Sequence, residues 1–124
     1  MTKYLVVLAG SGLGGLLRFA AGNWVLSRLD WRYPTGTFLI NITGSFFIGL
    51  LMALLTEHWE VHPYWRLFLV VGLLGGFTTF STFEFETLQA VRTGHRSVAV
   101  LYVMSSVGFG YLAVWLGATL GARK

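Results

Sequence analysis

The chain has 124 residues, of which 55% are hydrophobic and only 11% are charged, and its mean hydropathy is +0.67. Soluble domains carry about 25% charged residues, so this composition does not supply the polar surface that a core in water needs. The absence of cysteine excludes a disulfide framework and a thiolate metal site. The net charge of +4 does not indicate nucleic-acid binding, because the lysines and arginines are scattered and form no basic cluster. We therefore predict a membrane protein.

Four long runs that are nearly free of charge follow one another along the sequence. The hydrocarbon core of a bilayer is about 30 Å thick, which a helix of about 20 apolar residues crosses. Backbone groups in lipid must be hydrogen-bonded within their own segment, so the runs are predicted to be helices and not strands. We expect a single all-α transmembrane domain over residues 1–124, with spans at about 4–27, 34–56, 65–92 and 97–121.

Positive charges are divided evenly between the two sides of this predicted topology. Each side has four: Lys3, Arg66, Arg123 and Lys124 on one, and Arg28, Arg32, Arg92 and Arg96 on the other. Orientation in the membrane is set by a bias in these charges, and here the bias is zero. Two explanations stay open. Either short tails conceal a real bias, or the protein inserts in both directions and pairs with an inverted copy of itself.

Small residues recur at a spacing of four within the predicted spans, a pattern that lets helix backbones approach closely. The pairs are Gly10 with Gly14, Ser106 with Gly110, and Gly117 with Gly121. Four short helices can hardly enclose a pathway alone, so an oligomer is expected. The glycine pattern is too common in membrane helices to specify the geometry of that oligomer.

Two polar side chains interrupt the first two predicted spans. Arg18 is the only ionised group well inside a span, and it either snorkels to the membrane surface or serves a function. Asn41 either holds two helices together or donates to an anion in a pore. No carboxylate lies within these two spans, which argues against a proton-coupled cation exporter.

The third span contains the most informative stretch. Gly75 and Gly76 are followed by four hydroxyl residues among the next six, which is a poor sequence for a continuous helix. We predict a break near residues 75–79. At membrane depth a broken helix is tolerated where it is buried in protein or lines a cavity. Its carbonyls suit a small cation, and the N-terminus of the following half-helix favours an anion.

Three phenylalanines continue this stretch at helical spacing, Phe77, Phe80 and Phe83. Such a stripe is usually a packing surface. Ring edges carry the positive part of the aromatic quadrupole, so the same rings presented edge-on also suit a narrow anion path. The sequence shows no catalytic triad, phosphate loop or carboxylate pair, so we do not predict an enzyme.

These motifs resemble the Fluc (CrcB) family of fluoride channels, and the similarity covers essentially the whole chain. The segments that carry it are GGLLR at 14–18, GTFLINITG at 36–44 and GGFTTFSTFEFE at 75–86. The resemblance implies an antiparallel, dual-topology homodimer with two pores in a bacterial-type plasma membrane. It also implies passive export of fluoride and a structural sodium ion at the centre of the dimer.

The resemblance assigns roles to individual residues of the third span and of the helices beside it. It makes Phe80 and Phe83 pore-lining rings and Asn41 a pore amide. It makes the backbone carbonyls of Gly75 and Thr78, from both subunits, the ligands of the sodium ion.

Further residues match positions along or near the polar path of the family. They are Ser81, Thr82, Glu86, Tyr102 and Ser106, and Arg18 matches an arginine expected at the aqueous vestibule. One position departs from the pattern, because Gly110 stands where a second hydroxyl is expected one turn after Ser106. The length of the hydroxyl track is therefore open.

Two other classes of protein compete with a channel. A small multidrug-resistance-like proton-coupled exporter also has four short helices of dual topology, but it should carry a glutamate in the first helix, where this chain has Arg18. A non-transporting membrane assembly subunit accounts for the glycine pairs but leaves the sequence TTFSTF without a purpose. Fluoride and chloride efflux from liposomes separates the three.

Overall fold

The computed structural model describes residues 1–29 and 33–123 of the chain. Arg32 and Lys124, which enter the charge balance above, lie outside the described residues. The elements in chain order are α1 (Thr2–Arg28), α2 (Thr35–Glu57), α3 (Tyr64–Arg66), a π-helix (Leu67–Leu74), α4 (Gly75–Phe77), α5 (Ser81–Arg92) and α6 (Arg96–Ala122).

The elements from α3 to α5 run on from one another and form the third span, Tyr64–Arg92. Together with α1, α2 and α6, this span gives four helical segments that are long and apolar enough to cross a membrane. The described residues thus confirm the expected all-helical fold with four apolar helices, of which the third is broken.

Proline and glycine mark the connections between these helices. Pro34 directly precedes α2 and Pro63 directly precedes α3, positions where the missing N–H of proline costs no helical hydrogen bond. Gly94 has φ +83°, a left-handed conformation that side chains disfavour, and it turns the chain from α5 into α6.

Two close helix contacts organise the chain, and both depend on glycines from the predicted pairs. Helix α1 packs along the first half of the third span, and α2 packs along α6. A Cβ atom on Gly14 would overlap the carbonyl of Leu73, and one on Gly117 would overlap the carbonyl of Phe46. These glycines therefore bring helices of the same chain together, which is the close approach that small residues permit in lipid.

The third span loses its helical conformation at Thr78, where φ is −82° and ψ is 159°. The backbone becomes helical again at Ser81, the first residue of α5. The Thr78 N–H and the Thr78 hydroxyl both donate to the Leu74 carbonyl, each over 3.0 Å, and they close the last turn before the break. The break faces α2, and Gly44 leaves room there, because a Cβ at Gly44 would overlap the Thr78 methyl group.

Candidate functional site

The side chain of Asn41, on α2, is hydrogen-bonded to the broken segment on both of its polar atoms. Its Nδ2 donates to the Thr79 carbonyl over 2.9 Å, and its Oδ1 accepts from the Thr79 N–H over 2.8 Å. In a continuous α-helix the Thr79 N–H would instead donate to the Gly75 carbonyl, four residues earlier. Asn41 thus holds two helices together and supplies backbone hydrogen bonds that the break removes. One Nδ2 hydrogen remains for another acceptor.

The side chain of Thr79 supports the start of α5 in a similar way. Its Oγ1 accepts from the Thr82 N–H over 3.3 Å and lies 3.0 Å from the Thr82 hydroxyl, to which it donates. In a continuous helix the Thr82 N–H would donate to the Thr78 carbonyl. The carbonyls of Gly75 and Thr78 have therefore both lost their regular helical donor.

Gly75 and Thr78 line an open cleft of about 330 Å³ beside the break. Asn41, Thr79 and Phe80 also line this cleft, and Gly75 is exposed in the single chain. Among the described residues, no group of three or more His, Cys, Asp or Glu side chains is placed to hold a metal ion.

Phe80 and Phe83 are neighbours in different surroundings. Their ring centroids lie 6.0 Å apart. Phe83 is buried and presents itself nearly perpendicular to the Tyr102 ring, at 4.8 Å and 70°. Phe80 is 74% exposed in the single chain, and Ser81 beside it is exposed as well. The structure therefore brings the two predicted pore rings together. Phe83 packs inside the chain, and Phe80 lies on its surface.

The carboxylate of Glu86 lies between two hydroxyl donors from other helices. Its Oε1 accepts from Thr37 Oγ1 of α2, and its Oε2 accepts from the Tyr102 hydroxyl of α6, each over 2.7 Å. Tyr102 is completely buried. A charge at membrane depth is costly without such partners, so these two bonds make the Glu86 position tolerable.

A pair of hydrogen-bonded hydroxyl groups lies next to Tyr102, on the side of the first loop. Tyr33 and Ser105 lie 2.6 Å apart at their oxygens, and the Tyr33 ring meets the Tyr102 ring edge-on at 5.3 Å. Sequence reasoning did not single out Thr37, Thr79, Tyr33 or Ser105. A usable signal existed for Thr37, since it lies one helical turn before Asn41 and therefore on the same face of α2.

A larger cavity of about 780 Å³ also reaches the break. The lining includes the predicted residues Arg18, Thr82 and Glu86, together with Thr37 and Thr79. Thr79 thus borders both the cavity and the cleft. Within the described part of the chain, Arg18 Nε is buried without a hydrogen-bond partner. The cavity is therefore lined by a cationic side chain that has one buried, unpartnered donor.

Ser106 and Gly110 lie on α6, one turn apart. The Ser106 hydroxyl is buried and has no hydrogen-bond partner among the described residues. A Cβ atom at Gly110 would have its nearest neighbours, Ile42 Cδ1 and Ser45 Oγ, at 3.8 Å. The position of the missing hydroxyl is thus open, and a serine of α2 lies close to it.

The sequence matches the family model described as CrcB-like protein, Camphor Resistance (CrcB), over residues 5–118. The chain is 52% identical over 121 residues to the fluoride-specific ion channel FluC of Solibacter usitatus (strain Ellin6076), covering 98% of this chain and 99% of that protein. It is 50% identical over 121 residues to the protein of the same name from Acidobacterium capsulatum, covering 98% and 97%. A relative of that name from Thermus thermophilus is 44% identical over 119 residues, covering 96% and 93%.

The four helices that can cross a bilayer, taken with these relatives, make the chain a multi-pass protein of the bacterial inner membrane. The family match extends over nearly the full length, and it includes most of α1 and α6, the whole of α2, and the third span with the break between α4 and α5. The chain belongs to the CrcB family.

Proposed function

We propose that this protein is a fluoride-selective channel through which fluoride leaves the cell passively. The observation that carries the proposal is the large cavity, which is lined by Arg18, with its unpartnered Nε, and by hydroxyl residues at the end of a broken helix. Its relatives at 52% and 50% identity carry the name of fluoride-specific ion channels. The activity is conduction, which calls for no chemical step and no catalytic residue.

In this proposal Arg18 attracts the anion into the large cavity, where its charge acts at short range in a medium of low dielectric. Fluoride is small and strongly hydrated, so a narrow passage must replace much of its water with donors. The Thr82 hydroxyl, at the cavity, and the second Nδ2 hydrogen of Asn41, at the cleft, offer such donors, and the buried Ser106 hydroxyl is a further donor without a partner among the described residues. The edges of the Phe80 and Phe83 rings offer positive potential without a fixed charge.

Tyr102 and Glu86 differ from these donors, because they are already hydrogen-bonded to each other. The Tyr102 hydroxyl donates its only hydrogen to Glu86 Oε2, and the Thr37 hydroxyl donates its only hydrogen to Oε1, so neither has a hydrogen left for an anion. We assign Glu86 and Tyr102 to the wall of the path, where they set its shape and hold the helices in register. Ser81 lies on the exposed side of α5, next to Phe80.

The active form that we propose is an antiparallel homodimer with two pores. The zero bias in flanking positive charge favours insertion in both directions. A second copy would cover Phe80 and Gly75, which the single chain leaves exposed. Reporters for each side of the membrane, fused after the last residue, should both give signal from one gene. Signal from one side alone would contradict inverted pairing.

A sodium ion at the centre of this dimer is the further part of the proposal. The carbonyls of Gly75 and Thr78 fit such an ion, because both have lost their regular helical donor and both line the exposed cleft. Neutral backbone oxygens can replace the hydration shell of a hard monovalent cation. When bound, the ion supplies a fixed positive charge and offsets repulsion among carbonyls at the subunit interface.

Fluoride and chloride efflux from liposomes tests the function directly. Purified protein should release fluoride down its gradient, far faster than chloride, with no imposed proton or sodium gradient. Accumulation of fluoride against its gradient when sodium or protons flow would make the protein a coupled transporter. No flux of either halide, from protein that runs as a single species in detergent, would support the assembly-subunit alternative.

A further inference from the structure

We propose that Asn41 and Thr79 are positioning residues for the cation, because they withdraw two backbone N–H groups from the Gly75 and Thr78 carbonyls. This inference rests on the sodium site of the proposed function and goes beyond it. It names the side chains, outside the ligand set, that make the carbonyls available.

The Gly75 carbonyl depends on Asn41. The Thr79 N–H has two possible acceptors, the Gly75 carbonyl in a continuous helix and the Asn41 Oδ1 in the broken one. The structure has the second, at 2.8 Å, and the return bond from Nδ2 to the Thr79 carbonyl at 2.9 Å holds the following peptide group of the same residue. Two bonds from one side chain thus hold the Thr79 backbone out of the helix.

The Thr78 carbonyl depends on the Thr79 side chain. The Thr82 N–H donates to Thr79 Oγ1 over 3.3 Å, and it is therefore directed away from the Thr78 carbonyl. The Thr79 hydroxyl donates onward to the Thr82 hydroxyl, which orients its lone pairs toward the Thr82 N–H. This is the usual role of a threonine at the start of a helix, here with a second effect on the carbonyl before it.

The opposing view is that these bonds only hold α2 against the third span. Both views predict a loss of stability when the bonds are removed, so stability alone does not separate them. The positioning view adds a cation-specific effect: if a withdrawn N–H returns to its carbonyl, that oxygen becomes a poorer sodium ligand. The response of the protein to sodium is therefore the quantity to measure.

The first experiment compares Thr79→Val with Thr79→Ser. The melting temperature of the purified full chain in detergent is measured while sodium replaces N-methylglucamine at constant ionic strength. Wild-type protein should melt higher as sodium rises, with a defined midpoint concentration. Valine has the shape of threonine but no hydroxyl, and we expect it to raise the midpoint about tenfold, the size of effect that one hydrogen bond supports. Thr79→Ser should keep the wild-type midpoint.

Thr119→Val is the matched control for loss of a threonine hydroxyl. The Thr119 hydroxyl likewise makes a local hydrogen bond, by donating to the Trp115 carbonyl, but it lies on α6 away from the break. We expect the sodium midpoint of this variant to equal that of the wild type, whatever its melting temperature without sodium.

The second experiment separates the two bonds of Asn41. Asn41→Asp keeps an acceptor for the Thr79 N–H and loses the donor, whereas Asn41→Leu loses both. We expect the sodium midpoint to rise more in Asn41→Leu than in Asn41→Asp. If Asn41→Leu does not fold, the comparison of Thr79→Val with Thr79→Ser decides the matter.

Equal sodium midpoints in Thr79→Val, Thr79→Ser and wild type would overturn the inference. A wild-type melting temperature that does not respond to sodium would overturn both the inference and the sodium site. Fluoride efflux measured on the same wild-type preparation distinguishes that result from failure of the channel proposal, because the channel stands if fluoride still passes.

Discussion

Two regions of this molecule satisfy backbone polar groups in a bilayer in opposite ways. Where α2 packs along α6, each helix bonds its own peptides, and glycines such as Gly117 let the two backbones meet. At the break between α4 and α5, the helical ladder is interrupted, and the side chains of Asn41 and Thr79 provide bonds in its place. A continuous helix has no free backbone group to offer a ligand. At the break, two side chains take over part of the hydrogen bonding of the backbone, and the carbonyls of Gly75 and Thr78 are left without their regular helical donors.

The strongest way to disturb the continuous region is to place a side chain on a packed glycine. In Gly14→Leu the new atoms would occupy the position of the Leu73 carbonyl, which is backbone and not free to move alone. Overpacking of this kind costs about 1–3 kcal/mol or more. We expect little folded protein, measured as the yield of a single peak in size-exclusion chromatography.

Gly12→Leu is the control for that variant. Gly12 lies on the same helix, and a Cβ there would meet no atom of the chain within 4 Å. It should purify like the wild type. A normal yield of Gly14→Leu would show that the contact between α1 and the third span is not needed for folding.

A substitution in the broken region should reduce conduction while the protein still folds. Phe80→Ile keeps apolar bulk but removes the positive ring edge, so we expect fluoride efflux to fall by about tenfold or more. Phe47→Ile removes a ring on α2 that is 43% exposed and lines neither the cavity nor the cleft. It should conduct normally. Unchanged efflux in Phe80→Ile would reduce that ring to a packing role.

A smaller effect is expected at Thr37, whose hydroxyl donates to the Glu86 carboxylate on another helix. Thr37→Val leaves Glu86 Oε1 without its donor from α2, whereas Thr37→Ser retains the hydroxyl. The loss should lower the free energy of unfolding by about 0.5–2 kcal/mol. Thermal unfolding in detergent measures it as a lower melting temperature in the valine variant alone. Equal melting temperatures in both variants would mean that the hydroxyl does not support Glu86.

The smallest effect is expected at Gly110. A serine there fits without overlap, since the nearest atoms to its Cβ lie at 3.8 Å, and it would place a hydroxyl beside Ser45. We expect Gly110→Ser to fold like the wild type and to change fluoride efflux by about threefold or less, because a hydrogen bond between membrane helices contributes about 0.6 kcal/mol on average. A complete block would show that the position is narrower than the single chain indicates.

The order of the helices and the presence of the break could be predicted from local sequence. Long apolar runs leave helices as the available structure, and Gly75, Gly76 and the hydroxyl residues after them disfavour a continuous one. The environment of a single residue could not be predicted in this way. Phe80 and Phe83 belong to one stripe in the sequence, yet one is 74% exposed and the other is buried against Tyr102.

What the sequence by itself determined is therefore the set of membrane helices, the weak point in the third span and the residue types of an anion path, since these follow from composition and short spacings. Only the tertiary structure decided the partners. Asn41 meets Thr79 across 38 positions, Thr37 meets Glu86 across 49, and Tyr33 meets Ser105 across 72. Such pairs depend on which faces of the helices meet, and glycine contacts such as Gly14 with Leu73 and Gly117 with Phe46 help to set those faces.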